Sequence, residues 1–248
     1  MRVLVVGAAG EVGRMITPAL ADRHELRLFD PRVPEPREGD WFAGSVTDPE
    51  AVAAAVEGQD AVVYLAMGRK AGWRDGPGWA ISHFDVSVKG LYLTLSAAAK
   101  AGAGHVVYAS SMSVFAGYLH RDYTADPAAD EVDAYGLTKR LGEQVCEAAA
   151  REHGMHVVAL RLAAPMPDEE WLSCASMPER VVGTAAGDVA RAFLAALDHR
   201  GPFGAYPVTG DRERAYLDWH PTRDALGWEP RARPLTPPGA AWPYGAGG

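Results

Sequence analysis

The sequence predicts an α/β fold, a doubly wound parallel sheet with helices on both faces. Three observations support this prediction. Short apolar runs rich in β-branched residues alternate with helical segments along the chain, which is typical of parallel strands joined by helical crossovers. The first run, Val3–Val6, leads into glycines at positions 7, 10 and 13. The 248 residues, 48% of them hydrophobic, are enough for one buried core without disulfides.

The glycine turn is the strongest local motif. A buried strand that runs into Gly7, Gly10 and Gly13 and then into a helix presents unpaired backbone N–H groups to an anion. The glycines let the backbone approach a phosphate closely. A second strand, Glu25–Asp30, ends in an acid about twenty residues later. We therefore expect a pyrophosphate at this turn, and a ligand-free tight turn is the alternative.

The remaining elements alternate as a parallel sheet requires. After the second strand we expect a strand near 41–46, a helix from Pro49 capped by Asp48, a strand over Ala61–Ala66, a helix over 79–101, a strand over His105–Ser110, a helix over Ala134–His153, a strand over His156–Leu162, a helix near 187–199 and a strand near 205–208. The loop 111–133 is too long for a simple connector, which predicts a functional role.

Composition excludes several classes of protein. The net charge of −8 disfavours a nucleic-acid or anionic-membrane surface. Two cysteines, Cys146 and Cys174, give no disulfide framework, and the eight histidines show no metal-ligand spacing. Met1 is followed at once by a core strand, which leaves no room for a signal peptide. We expect a cytoplasmic protein with no metal and no membrane span.

Asp30 predicts the type of dinucleotide. An acid at the end of the second strand accepts hydrogen bonds from both hydroxyls of an adenosine ribose and repels a 2′-phosphate. NAD is therefore expected, and NADP is less favoured. Arg32 argues the other way, because a nearby arginine can accommodate that phosphate. A solvated turn residue is the alternative for Asp30.

Tyr135 and Lys139 lie one helical turn apart, so their side chains leave the same face of a helix. A phenol has a pKa near 10 and is a poor base at neutral pH. We expect the Lys139 ammonium to lower the pKa of Tyr135 and so make it a usable acid or base. Ser110 and Ser111 end the preceding strand, where a hydroxyl can hold a substrate oxygen.

Taken together in chain order, these motifs resemble the extended short-chain dehydrogenase/reductases, the NAD-dependent epimerase/dehydratase group. The resemblance covers most of the chain, and its features are specific only as a set. They are the glycine turn from Gly7 to Gly13, Asp30, Asp48, the strand end Leu65-Ala66, the segment VVYASSMSVF, Tyr135-Gly-Leu-Thr-Lys139 with Glu143, and Arg161. The short chain and the segment TRDALGWEP are similar to the hexuronate dehydrogenase branch.

The resemblance implies a Rossmann-type domain over residues 1–163 and a small substrate-binding region with a tail over 164–248, within one compact unit. It makes Ser111, Tyr135 and Lys139 the catalytic residues. The cofactor-binding residues it implies are Gly7, Gly10, Glu11, Val12, Gly13, Asp30, Val46, Asp48, Leu65, Ala66, Met67, Ser87, Tyr135, Lys139 and Pro165. Ser87 stands where the family has an asparagine, and a serine there can bridge a proton relay.

The implied activity is an NAD(P)-dependent interconversion of an alcohol and a carbonyl on a sugar, sugar acid or secondary metabolite. Two alternatives stay open: an epimerase or dehydratase that recycles bound NAD, and a non-catalytic NAD(P)-sensing protein. Candidate substrate contacts are Arg69, Lys70, Trp73, Ser113 and His120, although a solvated loop is the favoured interpretation of the cations. The family resemblance further implies a homodimer.

Overall fold

A parallel sheet covered by helices on both faces forms the molecule. The computed structural model of the chain describes residues 1–118, 128–173 and 182–233. Within these ranges the main sheet has seven strands, all parallel to their neighbours: β1 (Arg2–Val6), β2 (Glu25–Phe29), β3 (Asp40–Phe42), β4 (Ala61–Tyr64), β5 (His105–Ser111), β6 (His156–Leu162) and β9 (Gly204–Val208). β7 (Pro165–Met166) and β8 (Thr184–Ala185) pair separately.

Helices connect these strands. They are α1 (Glu11–Ala21), α2 (Pro49–Val56), α3 (Gly76–Phe84), α4 (Leu91–Lys100), α5 (Ala134–His153), α6 (Asp168–Ser173), α7 (Ala186–Asp198) and α8 (His220–Leu226). The α/β prediction is confirmed. Across the described ranges, no helix is both long and apolar enough to cross a membrane.

The strand order places the site. The strands lie in the order β3-β2-β1-β4-β5-β6-β9, so the chain reverses its direction of growth between β1 and β4. In open parallel sheets such a switch point opens a crevice at the carboxyl ends of the strands, where ligands bind. The glycine turn follows β1 and therefore lies at this edge.

Side chains alternate between two hydrophobic cores. Val3 and Val5 of β1 face the layer that contains α1 and α7. Leu4 and Val6 face the other layer, with α2, α4 and α5. This alternation is the period of two that a strand imposes, and it explains why the predicted strands read as continuous apolar runs.

The long helix differs from its prediction. It begins at Gly76 rather than 79, because Asp75 takes the N-cap position and a proline fits the first turn. Between α3 and α4 it contains a π-helical segment, Asp85–Gly90. The Tyr64 hydroxyl donates a 2.6 Å hydrogen bond to the Val86 carbonyl in this segment. A buried side chain from β4 thus satisfies a carbonyl within the π turn.

The segment after residue 163 contributes to the same sheet. β9 pairs with β6 along its whole length, and α7 packs against the core that contains β1. The helix and strand predicted here are present, whereas α8 and the β7–β8 pair were not predicted. The division of the chain at residue 163 stays a prediction.

Candidate active site

The glycine turn packs tightly against the end of β4. Gly7 has a φ of +85°, which favours glycine, and a Cβ there would lie 2.7 Å from the Ala66 backbone nitrogen. A Cβ at Gly13 would lie 2.2 Å from the Ala8 carbonyl oxygen. Side chains at these two positions would push the turn away from Ala66 or push α1 away from the turn.

The first turn of α1 offers N–H groups to a ligand. Gly10 is its N-cap and makes no side-chain hydrogen bond to the helix. By contrast, Asp48 caps α2 by accepting from Glu50 N at 3.0 Å and Ala51 N at 3.3 Å. An uncapped first turn behind a glycine turn fits an anion such as a dinucleotide pyrophosphate.

Asp30 is held at the carboxyl edge next to this turn. It is only 5% exposed, and its carboxylate accepts from Ala9 N at 3.1 Å and Arg32 N at 2.9 Å. The Arg32 side chain is 72% exposed, with its Nε 3.6 Å from Asp30. These contacts fix an acid beside the glycine turn, the position that a ribose-binding acid requires.

The other predicted cofactor residues line the same edge. Val46 packs against the π-helical segment, since a Cβ at Gly90 would lie 2.6 Å from its Cγ2. Leu65 donates its N–H to Val6 O at 2.8 Å. This bond continues the pairing of β4 with β1 as far as the residue before Ala66 and Met67. The cofactor-contact predictions for these residues stay predictions.

Ser111, Tyr135 and Lys139 come together where β5 meets α5. Asp133 caps α5 by accepting from Tyr135 N and Gly136 N, both at 2.9 Å. Ser111 ends β5, and its hydroxyl lies near enough to the Tyr135 phenol to lower the pKa of that phenol. One turn further along α5, Lys139 Nζ lies 5.9 Å from the centre of the Tyr135 ring. It donates to Ala109 O at 2.6 Å.

The expected effect of Lys139 on Tyr135 is wrong for this structure. Burial raises the pKa of Tyr135, and the Ser111 hydrogen bond only partly opposes that shift. Burial also lowers the pKa of Lys139 to about 8, with Glu143 opposing the change. Desolvation therefore dominates both groups, because removing an ion from water costs more than these neighbours return.

Next to these three residues, a buried ion pair connects α5 to β6. Arg161 meets Glu143 through two hydrogen bonds, of 2.9 Å from Nε and 2.8 Å from Nη2. Ser110 donates its hydroxyl to the same carboxylate at 2.6 Å. This network links β5, β6 and α5, the elements that position Ser111 and Tyr135.

Two fully buried polar residues lie on the neighbouring helix, four positions apart. Ser87 Oγ has no hydrogen-bond partner among the described residues. His83 lies 5.8 Å from the Tyr135 ring centre, and burial lowers its pKa. The Arg69 backbone partly opposes that shift, although neither His83 ring nitrogen has a partner of normal hydrogen-bond geometry in the described ranges. The sequence analysis did not single out His83. Its position one helical turn before Ser87, a predicted cofactor-binding residue, is the signal that could have identified it.

The loop after β4 crosses the mouth of the site. Lys70 pairs with Glu11 of α1 at 2.5 Å, and Arg74 pairs with Asp133 at 2.8 Å. Trp73 lies between them, with its ring centre 5.0 Å from that of Tyr135. The loop is exposed and makes these ionic and ring contacts, so the favoured prediction of a solvated loop and the prediction of substrate contacts both stay predictions.

The other predicted substrate contacts have mixed positions. Arg69 donates its backbone N–H to Ser82 Oγ at 3.2 Å. Ser113 donates its backbone N–H to Ser111 Oγ at 3.1 Å and packs beside the start of α5. His120 lies outside the described residues. Pro165 lines a cleft of about 800 Å³, which Glu11 and Lys70 also line.

The fold and this site define a dinucleotide-dependent enzyme, and comparison with known proteins identifies its family. Residues 3–166 match the NAD dependent epimerase/dehydratase family. The chain belongs to that family, which confirms the predicted resemblance and NAD as the family's cofactor. Within the described residues, no group of three or more metal-ligating side chains is placed to hold a metal ion.

Individual relatives support the same assignment. The chain is 30% identical to the L-arabinose 1-dehydrogenase (NAD(P)(+)) of Haloferax volcanii over 95% of this chain and 98% of that enzyme. It is 27% identical to the uronate dehydrogenase of Pseudomonas syringae pv. tomato, over 69% of this chain and 65% of that enzyme.

Solved structures share the fold. A short-chain dehydrogenase/reductase superfamily protein from Agrobacterium tumefaciens with bound NAD superposes with a TM-score of 0.80 and 23% identity. That match covers 94% of this chain and 93% of the other. The uronate dehydrogenase from Agrobacterium tumefaciens gives a TM-score of 0.76 with 22% identity, over 93% and 84% of the two chains.

Proposed function

We propose that the protein is an NAD(P)-dependent oxidoreductase that interconverts an alcohol and a carbonyl on a small sugar or sugar acid. The observation that carries this proposal is the placement of Ser111, Tyr135 and Lys139 together where β5 meets α5. Lys139 is buried one turn further along the same helix. A donor and a proton-transfer group around one substrate oxygen are what carbonyl reduction requires.

The proton balance assigns a role to each side chain. In the reducing direction Tyr135 gives its phenolic proton to the carbonyl oxygen, and its raised pKa keeps that proton in place at neutral pH. In the oxidising direction the phenolate takes the proton of the substrate hydroxyl. Ser111 holds the same oxygen by donating a hydrogen bond. Lys139, a predicted cofactor-binding residue, would contact the cofactor as a cation at pH values below its own pKa of about 8.

The glycine turn and Asp30 would hold the dinucleotide. When bound, the cofactor accepts a hydride from the alcohol carbon or returns one to the carbonyl carbon. The buried Asp30 carboxylate suits the ribose hydroxyls and opposes a 2′-phosphate, so we infer NAD as the preferred form. The exposed Arg32 guanidinium beside it can contact a 2′-phosphate, so NADP stays the less favoured cofactor. The relative named for both cofactors is consistent with this dual possibility.

Relatives support a sugar substrate. The arabinose dehydrogenase matches this chain over nearly the full length of both proteins, whereas the uronate dehydrogenase matches over about two thirds. An epimerase is the second candidate, favoured by a 31% identical stretch of 150 residues in a lipid-linked N-acetylglucosamine 4-epimerase from Escherichia coli. A dehydratase is less favoured, because Met112 and Ser113 follow Ser111 where acidic residues are typical of dehydratases.

We also infer a cytoplasmic homodimer. Ile81 and Tyr92 are each 59% exposed along the α3–α4 helix, next to α5. The resemblance noted above implies that two copies pair through these helices. Sedimentation equilibrium tests the dimer, and a monomeric mass at micromolar concentration would contradict it.

The decisive experiment is Tyr135→Phe. We expect kcat for sugar oxidation to fall at least about 100-fold, because a positioned acid or base contributes roughly that much or more. NAD affinity should change less than about twofold, since the hydroxyl is not part of the glycine turn. NADH formation at 340 nm and calorimetric titration with NAD measure the two quantities.

The same assay separates the alternatives. Net NADH accumulation supports the oxidoreductase. Sugar isomerisation without net NADH, with cofactor that copurifies, would support the epimerase instead. Unchanged NAD binding with no turnover of any sugar by the wild type would support the non-catalytic sensor. Wild-type activity in Tyr135→Phe would remove that residue from its role.

A further inference from the structure

Trp73 is a large apolar side chain left partly exposed beside the proposed proton-transfer residue. It is 44% exposed, and its ring centre lies 5.0 Å from that of Tyr135. Large apolar side chains scattered over a surface are ordinary. Trp73, however, lies at the carboxyl edge of the sheet, where ligands of this fold class bind. Its ring therefore lies next to the residue to which the proposed function assigns proton transfer.

The indole is held in place from two sides. Its ring meets Trp79 at 5.2 Å and His83 at 5.9 Å, both in edge-on geometry, and both partners are buried. Arg74, the next residue, has a φ of +62° and pairs with Asp133, the N-cap of the helix that carries Tyr135. A non-glycine residue in this conformation is strained and persists only where its surroundings require it.

Two of the three cations of this loop pair with carboxylates, whereas Arg69 has no ion pair within the described residues. Lys70 pairs with Glu11 and Arg74 with Asp133. Binding of an anionic substrate by Lys70 or Arg74 would therefore require breaking one of these ion pairs.

The adjoining cleft is acidic. Among the described residues, four carboxylates and two cations line it: Glu11, Asp168, Glu169, Glu170, Arg14 and Lys70. An anionic substrate entering this cleft meets more negative than positive charge, and the excess lowers its local concentration.

We propose that Trp73 is the platform on which the substrate ring stacks, and that the site prefers an uncharged sugar over the corresponding uronate. This inference rests on the proposed function and narrows its substrate class. One face of a pyranose carries several C–H groups and is apolar enough to pack on an indole. The sugar's hydroxyls stay free to meet Ser111 and Tyr135. A rigid aromatic surface costs little conformational entropy when it binds such a ring.

Binding to the NADH-saturated protein tests the proposal independently of turnover. L-arabinose, D-galactose, D-glucose and D-xylose are titrated by calorimetry against D-galacturonate and D-glucuronate. D-galactose and D-galacturonate form a matched pair that differs only at carbon 6. We expect at least one aldose to bind at least about tenfold more tightly than any uronate. Failure of every aldose to bind, or tighter binding of a uronate, would overturn the proposal.

Substitution of Trp73 tests the platform itself. We expect Trp73→Ala to weaken binding of the preferred aldose at least about tenfold, Trp73→Phe to restore part of that loss, and NAD affinity to stay within about twofold. Trp219→Phe is the matched control, because the Trp219 indole packs on His220 and Arg223. This variant should bind the aldose with wild-type affinity. Unchanged aldose affinity in Trp73→Ala, with the fold intact by circular dichroism, would overturn the platform.

These outcomes are separable from those of the proposed function. If sugars bind as expected but no NADH forms from any of them, the oxidoreductase proposal fails while the binding preference stands. If NADH forms most efficiently from a uronate, the oxidoreductase proposal stands and this inference fails.

Discussion

Two sets of buried polar side chains lie within two turns of each other on α5, and they differ in how completely they are paired. Around Glu143, the carboxylate is met by Arg161 from β6 and by Ser110 from β5. Around Tyr135 and Lys139, the pairing is sparse. Ser87 Oγ has no partner among the described residues. Burial raises the pKa of Tyr135 and lowers that of Lys139, which favours the neutral form of each side chain.

The difference distinguishes side chains that hold the fold from side chains placed to take part in the reaction. A satisfied buried network holds one geometry and leaves no group available for a ligand. A sparsely paired group with a shifted pKa costs stability, and such groups cluster where catalysis needs them. The Glu143 network therefore holds β5, β6 and α5 in position. The Tyr135 region is where a substrate and a cofactor would complete the hydrogen bonding.

The largest expected effect comes from breaking the paired region. Arg161→Met leaves the Glu143 carboxylate buried without its cation, and removing one partner of a buried pair costs about 3–5 kcal/mol. We expect that loss in the free energy of unfolding, measured with urea. The double variant Arg161→Met, Glu143→Leu should regain much of it, because neither member of the pair is then left buried without its partner. A loss below about 1 kcal/mol in the single variant would show that the pair does not hold the fold.

Lys139 should show an intermediate, pH-dependent effect. Its pKa is about 8 in the folded protein against an ordinary 10.5. Between these values the unfolded chain binds the proton and the folded chain does not, so wild-type stability should rise with pH. Relative to Lys139→Met, we expect the wild type to gain about 2 kcal/mol between pH 8 and pH 9.5.

Urea unfolding of both proteins at four pH values measures this difference, and the variant subtracts the titration of every other group. Parallel curves for the two proteins would mean that Lys139 keeps its ordinary pKa in the folded state.

Local patterns in the sequence predicted most of the fold, because strands buried on both faces and helix caps leave short signals. The glycine turn, the Asp48 cap and the order of elements through β6 all came from neighbouring residues. The π-helical segment could not be predicted, since it depends on Tyr64 reaching Val86 from another strand. The raised Tyr135 pKa was missed for a similar reason: burial is a property of the assembled site and outweighs the helical spacing from Lys139.

The long-range contacts of the 68–75 loop also lay beyond sequence reasoning. Lys70 and Glu11 are 59 positions apart, as are Arg74 and Asp133. A solvated loop and an ordered one share the same composition of charges, glycines and tryptophan. Their difference is decided by where β4 and α5 place the two ends of the loop.

The smallest effects give the sharpest test, because two buried serines differ mainly in whether they are paired. Ser110 is 2% exposed and donates to Glu143, whereas Ser87 is fully buried without a described partner. Ser110→Ala strips a hydrogen bond from a buried carboxylate and should cost about 1–2 kcal/mol of unfolding free energy. Ser87→Ala removes an unsatisfied hydroxyl and should change stability by less than about 0.5 kcal/mol.

Activity should rank the two variants in the opposite order. If Ser87 relays protons toward Lys139, Ser87→Ala lowers kcat at least about threefold, and Ser87→Asn, with the amide typical of the family, restores it. Ser110→Ala should leave kcat within about twofold at a temperature where the protein is folded, because its hydroxyl acts on the structure. A Ser87→Ala variant that is as unstable as Ser110→Ala, and fully active, would show that both serines only support the fold. Hydrogen-bond pairing would then not distinguish the buried side chains that hold the fold from those that take part in the reaction.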